Sequence, residues 1–122
     1  MKLFLKGNVP SSKNSKQWTG KFLVNSKTVN KYLKEFGYQY KDINNLKVFK
    51  RMLEDKEKPY KIKFTFIRNT KRKFDYINAA QLPCDLMVKY GWIDDDNCDE
   101  IVPVFGTYSV DKEESGVFIE IL

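Results

Sequence analysis

Residues 60–68, YKIKFTFIR, alternate side chains with a period of two: Ile62, Phe64 and Phe66 go one way, Lys61, Lys63 and Thr65 the other. That is the pattern of a half-buried β-strand. Asn69–Thr70 turn the chain into residues 71–96, KRKFDYINAAQLPCDLMVKYGWIDDD, where the period changes. From Tyr76 to Tyr90, Ile77, Ala80, Cys84, Met87 and Val88 form an apolar stripe near a spacing of 3.6, the signature of an amphipathic helix. Asp75, Asn78, Gln81, Asp85 and Lys89 fall on the opposite face. Pro83 lacks an N–H and crowds the carbonyl of Ala79, so a kink or an irregular first turn up to about Ala80 is expected. Gly91 ends the helix.

Working outward, Lys2–Lys6 reads as a short strand with Leu3 and Leu5 on one face, and Gly7–Gln17 as a polar loop. Lys21–Asn25 reads as another short strand. Ser26 is placed to cap a helix that starts near Lys27 and buries Val29, Tyr32, Leu33 and Phe36, with a stop or kink at Gly37. Asp42 is placed to cap a second helix running to about Asp55. Beyond the acidic run, Ile101–Val110 and Gly116–Leu122 read as strands joined by the turn DKEES, and the last, apolar on both faces, belongs in the interior of a sheet. The expected fold is therefore α/β (α+β): one small domain over residues 1–122, a mixed β-sheet with helices packed on it.

Composition narrows the chemistry. The 122 residues are 42% hydrophobic and 31% charged, which suits a globular domain and not a disordered one. No apolar run approaches the roughly 20 residues of a membrane span. The opening MKLFLKG is too short and too often charged for a signal peptide, so a cytoplasmic protein is expected. Histidine is absent, which removes the usual general base, and two cysteines, Cys84 and Cys98, make neither a disulfide framework nor a zinc set. A metal here would be a hard cation held by oxygen, magnesium first and manganese second.

Charge is segregated. Residues 1–74 carry 20 Lys/Arg and 5 Asp/Glu, whereas residues 75–122 carry 2 and 11. A basic half offers a surface to a polyanion, and an acidic region beside it has a separate task. Lys13, Asn14 and Lys16 in the N-terminal loop, and Lys71, Arg72 and Lys73 before the helix, are the candidate phosphate contacts. Asp75, with Asp94, Asp95 and Asp96, would form a carboxylate cluster whose mutual repulsion a divalent cation removes. These groups flank a helix, so they meet only if the loop after it folds back or if a second subunit supplies one side. The alternative is a solvated acidic loop with Asp75 merely capping the helix. A calcium loop of the EF-hand type is excluded: started at Asp95, its glycine position falls on Glu100 and its closing glutamate on Gly106.

The spacing FD-x-x-N at Phe74–Asn78, a helix, and G-x-I-x-DD at Gly91–Asp96 resembles the RusA family of Holliday-junction resolvases, as does the opening VPSSKNSK at residues 9–16. The resemblance is strongest over residues 73–97. It implies a small α/β homodimer that binds four-way (branched) DNA junctions and hydrolyses phosphodiester bonds with magnesium or manganese. By position it implies catalytic and metal-binding roles for Asp75, Asp95 and Asp96. Asn78 matches a family asparagine. Ile77 stands where the family has a second aspartate, and Gln81 where it has a lysine; Lys73 is then the candidate replacement cation, with Asn78, Asp94 and Asp85 as further candidates for the metal shell. Phe74 has two readings, a base-stacking wedge or a core aromatic at the strand-to-helix corner. A junction-binding protein that does not cut, and a protein-interaction domain without enzymatic activity, remain as alternatives.

Overall fold

The computed structural model describes residues 1–11, 16–18 and 23–122, with the backbone alone at 16–18 and 23–25. The alternating stretch forms β4, Tyr60–Arg68, and it is the sheet's organising strand. Ile62, Phe64 and Phe66 are fully buried on one face, as the period of two predicts. The other elements are β1 (Leu3–Lys6), β2 (Lys16–Trp18), β3 (Leu23–Asn25), α1 (Lys27–Phe36), α2 (Tyr38–Lys41), α3 (Ile43–Met52), α4 (Tyr76–Lys89), β5 (Ile101–Phe105), β6 (Ser109–Val110) and β7 (Gly116–Ile121).

The sheet order is β1-β7-β4-β5, with β6 pairing β4 beyond the end of β5. β7 runs antiparallel to both neighbours, in the interior position its apolar sequence predicts; β5 and β6 run parallel to β4. The sheet is mixed, and β4–α4–β5 is a parallel crossover unit. Helical residues Tyr32, Tyr40, Phe49, Ala79, Ala80 and Met87 join Leu3, Leu5, Ile62, Phe64, Phe66, Val117 and Ile119 in one core. β2 and β3 form a separate antiparallel pair. Among the described residues, no helix is long and apolar enough to cross a membrane.

The caps agree with the sequence. Ser26 Oγ accepts the Val29 N–H at 3.3 Å, and Asp42 Oδ1 accepts those of Asn44 at 2.7 Å and Asn45 at 3.3 Å. Several boundaries differ. The N-terminal loop is shorter than expected, because Lys16 and Gln17 pair with Asn25 and Val24. Residues 21–22 of the expected strand lie outside the described residues. α3 stops at Met52, short of Asp55, which takes a left-handed φ of +65°. Ile101–Val110 is two strands and not one. Gly106 breaks it where a Cβ would come within 2.7 Å of Thr65 Oγ1, and the chain returns to β4 only at Ser109.

α4 holds two corrections. It is helical from Tyr76 through Pro83, with no irregular first turn; Ala79 already donates to the Asp75 carbonyl at 3.1 Å. The second concerns the apolar stripe. Ala79, Ala80, Pro83, Cys84, Leu86 and Met87 are the buried residues, whereas Ile77 is 75% exposed. Ile77 lies over the flank of β5, an edge strand, and among the described residues no further strand covers it.

Candidate active site

The loop after α4 decides where the aspartates go. Gly91, at φ +79°, ends the helix. Trp92 and Ile93 then turn back, both donating to the Met87 carbonyl, at 2.8 and 3.4 Å. Trp92 is fully buried; its indole N–H donates to the Tyr40 carbonyl at 2.9 Å and its ring lies 5.2 Å from that of Phe49. Lys50 Nζ donates to the Trp92 carbonyl at 2.9 Å. The chain that carries Asp94–Asp96 is thus pinned to α2, α3 and the end of α4, and it runs back along α4 within one subunit.

Asp96 consequently lines a groove with Ile77, Gln81 and Cys84 of α4 and Pro103 and Phe105 of β5. Asp75, at the N-terminus of α4, lines an adjoining groove with Phe74, Asn78, Ile77 and Phe105. Ile77 and Phe105 are common to both grooves. Residues 21 positions apart in sequence therefore face one flank of the molecule, and an exposed isoleucine stands between them.

The four aspartates do not gather into one cluster. Among the described residues, no group of three or more His, Cys, Asp or Glu is arranged to hold a metal. Asp94 is drawn away by Lys58, whose Nζ lies 2.8 Å from Asp94 Oδ2 and 2.7 Å from Glu100 Oε2. That hydrogen bond and charge hold the Asp94 carboxyl below its ordinary value. Asp95 is tied into its own loop: Oδ1 accepts the Asp96 N–H at 2.9 Å, Oδ2 accepts Asn97 Nδ2 at 2.8 Å, and these bonds lower its carboxyl too. Asp75 and Asp96, both exposed, are left as the two carboxylates that face the shared flank.

Asn78 Nδ2 donates to Asp75 Oδ2 at 3.2 Å, so it orients that carboxylate. Gln81 Nε2 donates to Asp85 Oδ1 at 2.9 Å, one helical turn on. Cys84 is buried under the Asp96 groove, and its thiol is pushed up to about 12 by burial first and by the Asp96 and Asp85 charges next. The donors on this flank are hard oxygens. Magnesium is commonly held by one or two carboxylates plus waters and substrate phosphates. Asp75 and Asp96 are hard oxygen donors of that type, on adjoining grooves, and among the described residues no group forms an all-protein cage.

Lys71, Arg72 and Lys73 are exposed beside the start of α4 and make no ion pair among the described residues. Phe74 is half-buried, edge-on to Phe66, Tyr76 and Tyr108 with centroids 6.1, 5.1 and 5.1 Å away. That is a packed aromatic at the strand-to-helix corner. Lys13 and Asn14 lie outside the described residues, as does the side chain of Lys16. Sequence reading missed Arg68 altogether. It is 8% exposed, its guanidinium lies 4.5 Å from the Phe74 ring centre, and burial lowers its pKa from the ordinary value. The signal was there: an arginine at a position whose period points into the core.

No family model matches this chain, and no curated protein matches it.

Proposed function

We propose that this chain is a RusA-like, metal-dependent endonuclease that binds four-way DNA junctions and hydrolyses their phosphodiester bonds. The observation that carries this reading is the fold-back of the loop after α4, which sets Asp96 and Asp75 on adjoining grooves, while Lys71–Lys73, just before Asp75 in the chain, make no ion pair among the described residues. In this reading Asp75 and Asp96 hold magnesium or manganese, and Asp95 shapes the loop that presents Asp96. Bound there, the metal supplies Lewis acidity toward a phosphate oxygen and lowers the pKa of a water.

The chain's own residues do the rest. Lys71, Arg72 and Lys73 attract the phosphate backbone, and Lys73, nearest in sequence to Asp75, supplies positive charge near the scissile phosphate. Asn78 orients Asp75. Ile77 lines both grooves and supplies no oxygen ligand. A symmetric junction calls for two symmetrically placed cuts, so a homodimer is the proposed working unit, acting in the cytoplasm where DNA and free magnesium occur together.

A second reading, a junction-binding protein that does not cut, is favoured by Ile77 on the site's flank and by Gln81, whose amide is engaged with Asp85. Incubating the wild-type protein with an end-labelled four-way junction and magnesium or manganese separates the two. Paired cuts at symmetry-related positions are expected. Retention of the junction in a gel shift without cleavage in either metal selects the second reading. Neither binding nor cleavage at low salt removes both.

A further inference from the structure

Arg68, the last residue of β4, is a charged side chain built into the interior. Its guanidinium donates to the Val9 carbonyl and, at 3.3 Å, to Ser11 Oγ, and its other face covers the Phe74 ring. No carboxylate pairs with it among the described residues. A buried cation without an opposite charge is costly, and here it stands next to Lys71, Arg72 and Lys73, which are unpaired in the same sense. Four like charges within six residues of chain repel one another. This end of the molecule carries cationic side chains that form no ion pair among the described residues, and a polyanion would compensate them. Acidic residues adjoin them: Asp75 follows the basic run in the chain, and the Asp111 N–H donates to the Arg68 carbonyl.

The end of β4 also stitches the N-terminal loop in place. The next residue, Asn69, donates its N–H to Asn8 Oδ1 at 3.0 Å. Arg68 and Asn69 together hold Asn8, Val9 and Ser11, which are 57 to 61 positions away in sequence. The start of the N-terminal loop is thereby tied to the end of β4, three residues before the run Lys71–Lys73 begins. An arginine suits the task because its planar fork reaches two acceptors while its face stacks on an aromatic ring, which a lysine cannot do.

We infer that Arg68 is a positioning residue that assembles the loop Asn8–Ser11 and the run Lys71–Lys73 into one surface for the phosphodiester backbone of DNA. The inference rests on the DNA-binding reading above and adds to it a residue and a reason. Arg68 does not contact the phosphate itself; it sets the geometry of the groups that do.

The test is the salt dependence of binding, measured by fluorescence anisotropy on a labelled four-way junction between about 50 and 200 mM salt. Each phosphate contact contributes about 0.9 to the log–log slope, so Lys71→Ala should flatten it by about that amount. Arg68→Lys keeps the charge and loses the fork. It is expected to weaken binding at least about fivefold and to flatten the slope by more than the single-contact value of about 0.9. The double variant Asn8→Ala/Ser11→Ala changes no charge, yet it is expected to weaken binding and flatten the slope in the same sense. It also decides the matter if Arg68→Lys fails to fold. Wild-type affinity and slope in that uncharged variant, or in a folded Arg68→Lys, overturn the inference while leaving DNA binding intact. If the wild-type protein does not bind the junction at the lowest salt, the inference and the DNA reading fall together.

Discussion

Strand β4 begins beside one unusual cation and ends at another, and the two are opposites. Lys58, just before the strand, is exposed and has two carboxylates, Asp94 and Glu100. Arg68, its last residue, is buried and has none among the described residues. At the Lys58 end charge is neutralised within the chain, and the effect is to take Asp94 out of the acidic cluster. At the Arg68 end charge is held uncompensated, by packing and by backbone acceptors. Internal pairing locks a loop, whereas unpaired charge is what a charged partner can use. At the candidate site, Asp75 and Asp96 have no such lysine among the described residues.

The contrast can be pressed from both ends. The acidic loop is anchored by apolar burial more than by charge, so Trp92→Ala should give the largest loss, about 4 kcal/mol in urea unfolding. A loss below about 1 kcal/mol would show that the loop is held some other way. At the basic end, Phe74→Ala removes the ring under Arg68 and three aromatic contacts. About 2 kcal/mol of destabilisation is expected, together with weaker DNA binding, and a fully stable variant with weakened binding would restore the exposed-wedge role for Phe74.

The Lys58–Asp94 pair should matter less, because both groups are open to water. Asp94 is held below its ordinary carboxyl value and Lys58 above its ordinary amine value. The Asp94 contribution is present above the unfolded carboxyl pKa and is lost as pH falls through the lowered folded one. The Lys58 contribution is present below the unfolded amine pKa and is lost only as pH rises through the raised one. Thermal unfolding of Lys58→Met should therefore differ slightly from wild type at pH 7 and converge with it at pH 2. A difference that persists at pH 2 would count against the pairing. The smallest stability change is expected for Ile77→Asp, within about 0.5 kcal/mol, since that side chain is exposed. It adds a carboxylate between Asp75 and Asp96 and should raise the affinity for manganese measured by calorimetry; unchanged affinity would separate those two aspartates.

Much of this was legible in the chain. The period of two in Tyr60–Arg68, the caps at Ser26 and Asp42, and the stop at Gly91 depend on near neighbours, and all are as read. Ile77 was misplaced because periodicity reports which face of a helix a residue occupies and not whether a strand lies opposite; β5 is an edge, so the face is open there. The break at Gly106 depends on Thr65 of the neighbouring strand, about 40 positions earlier. The fold-back of Asp96 was open between two possibilities, and Trp92 decides it through contacts with α2 and α3 that no local pattern reveals. Arg68 was passed over because a strand pattern treats it as the polar end of an apolar run, while its partners are the distant Val9 and Ser11.

The most direct test of the account is a double-mutant cycle on metal-dependent junction cleavage, with Asp75→Asn, Asp96→Asn and the pair combined. If the two carboxylates serve one metal on one flank, each single variant should lose at least about 100-fold in single-turnover rate while still binding the junction, and the double variant should lose little more, because groups that act as a unit are not additive. If the losses are instead independent and additive, or if either single variant cleaves at the wild-type rate, Asp75 and Asp96 do not form one site and the central claim fails.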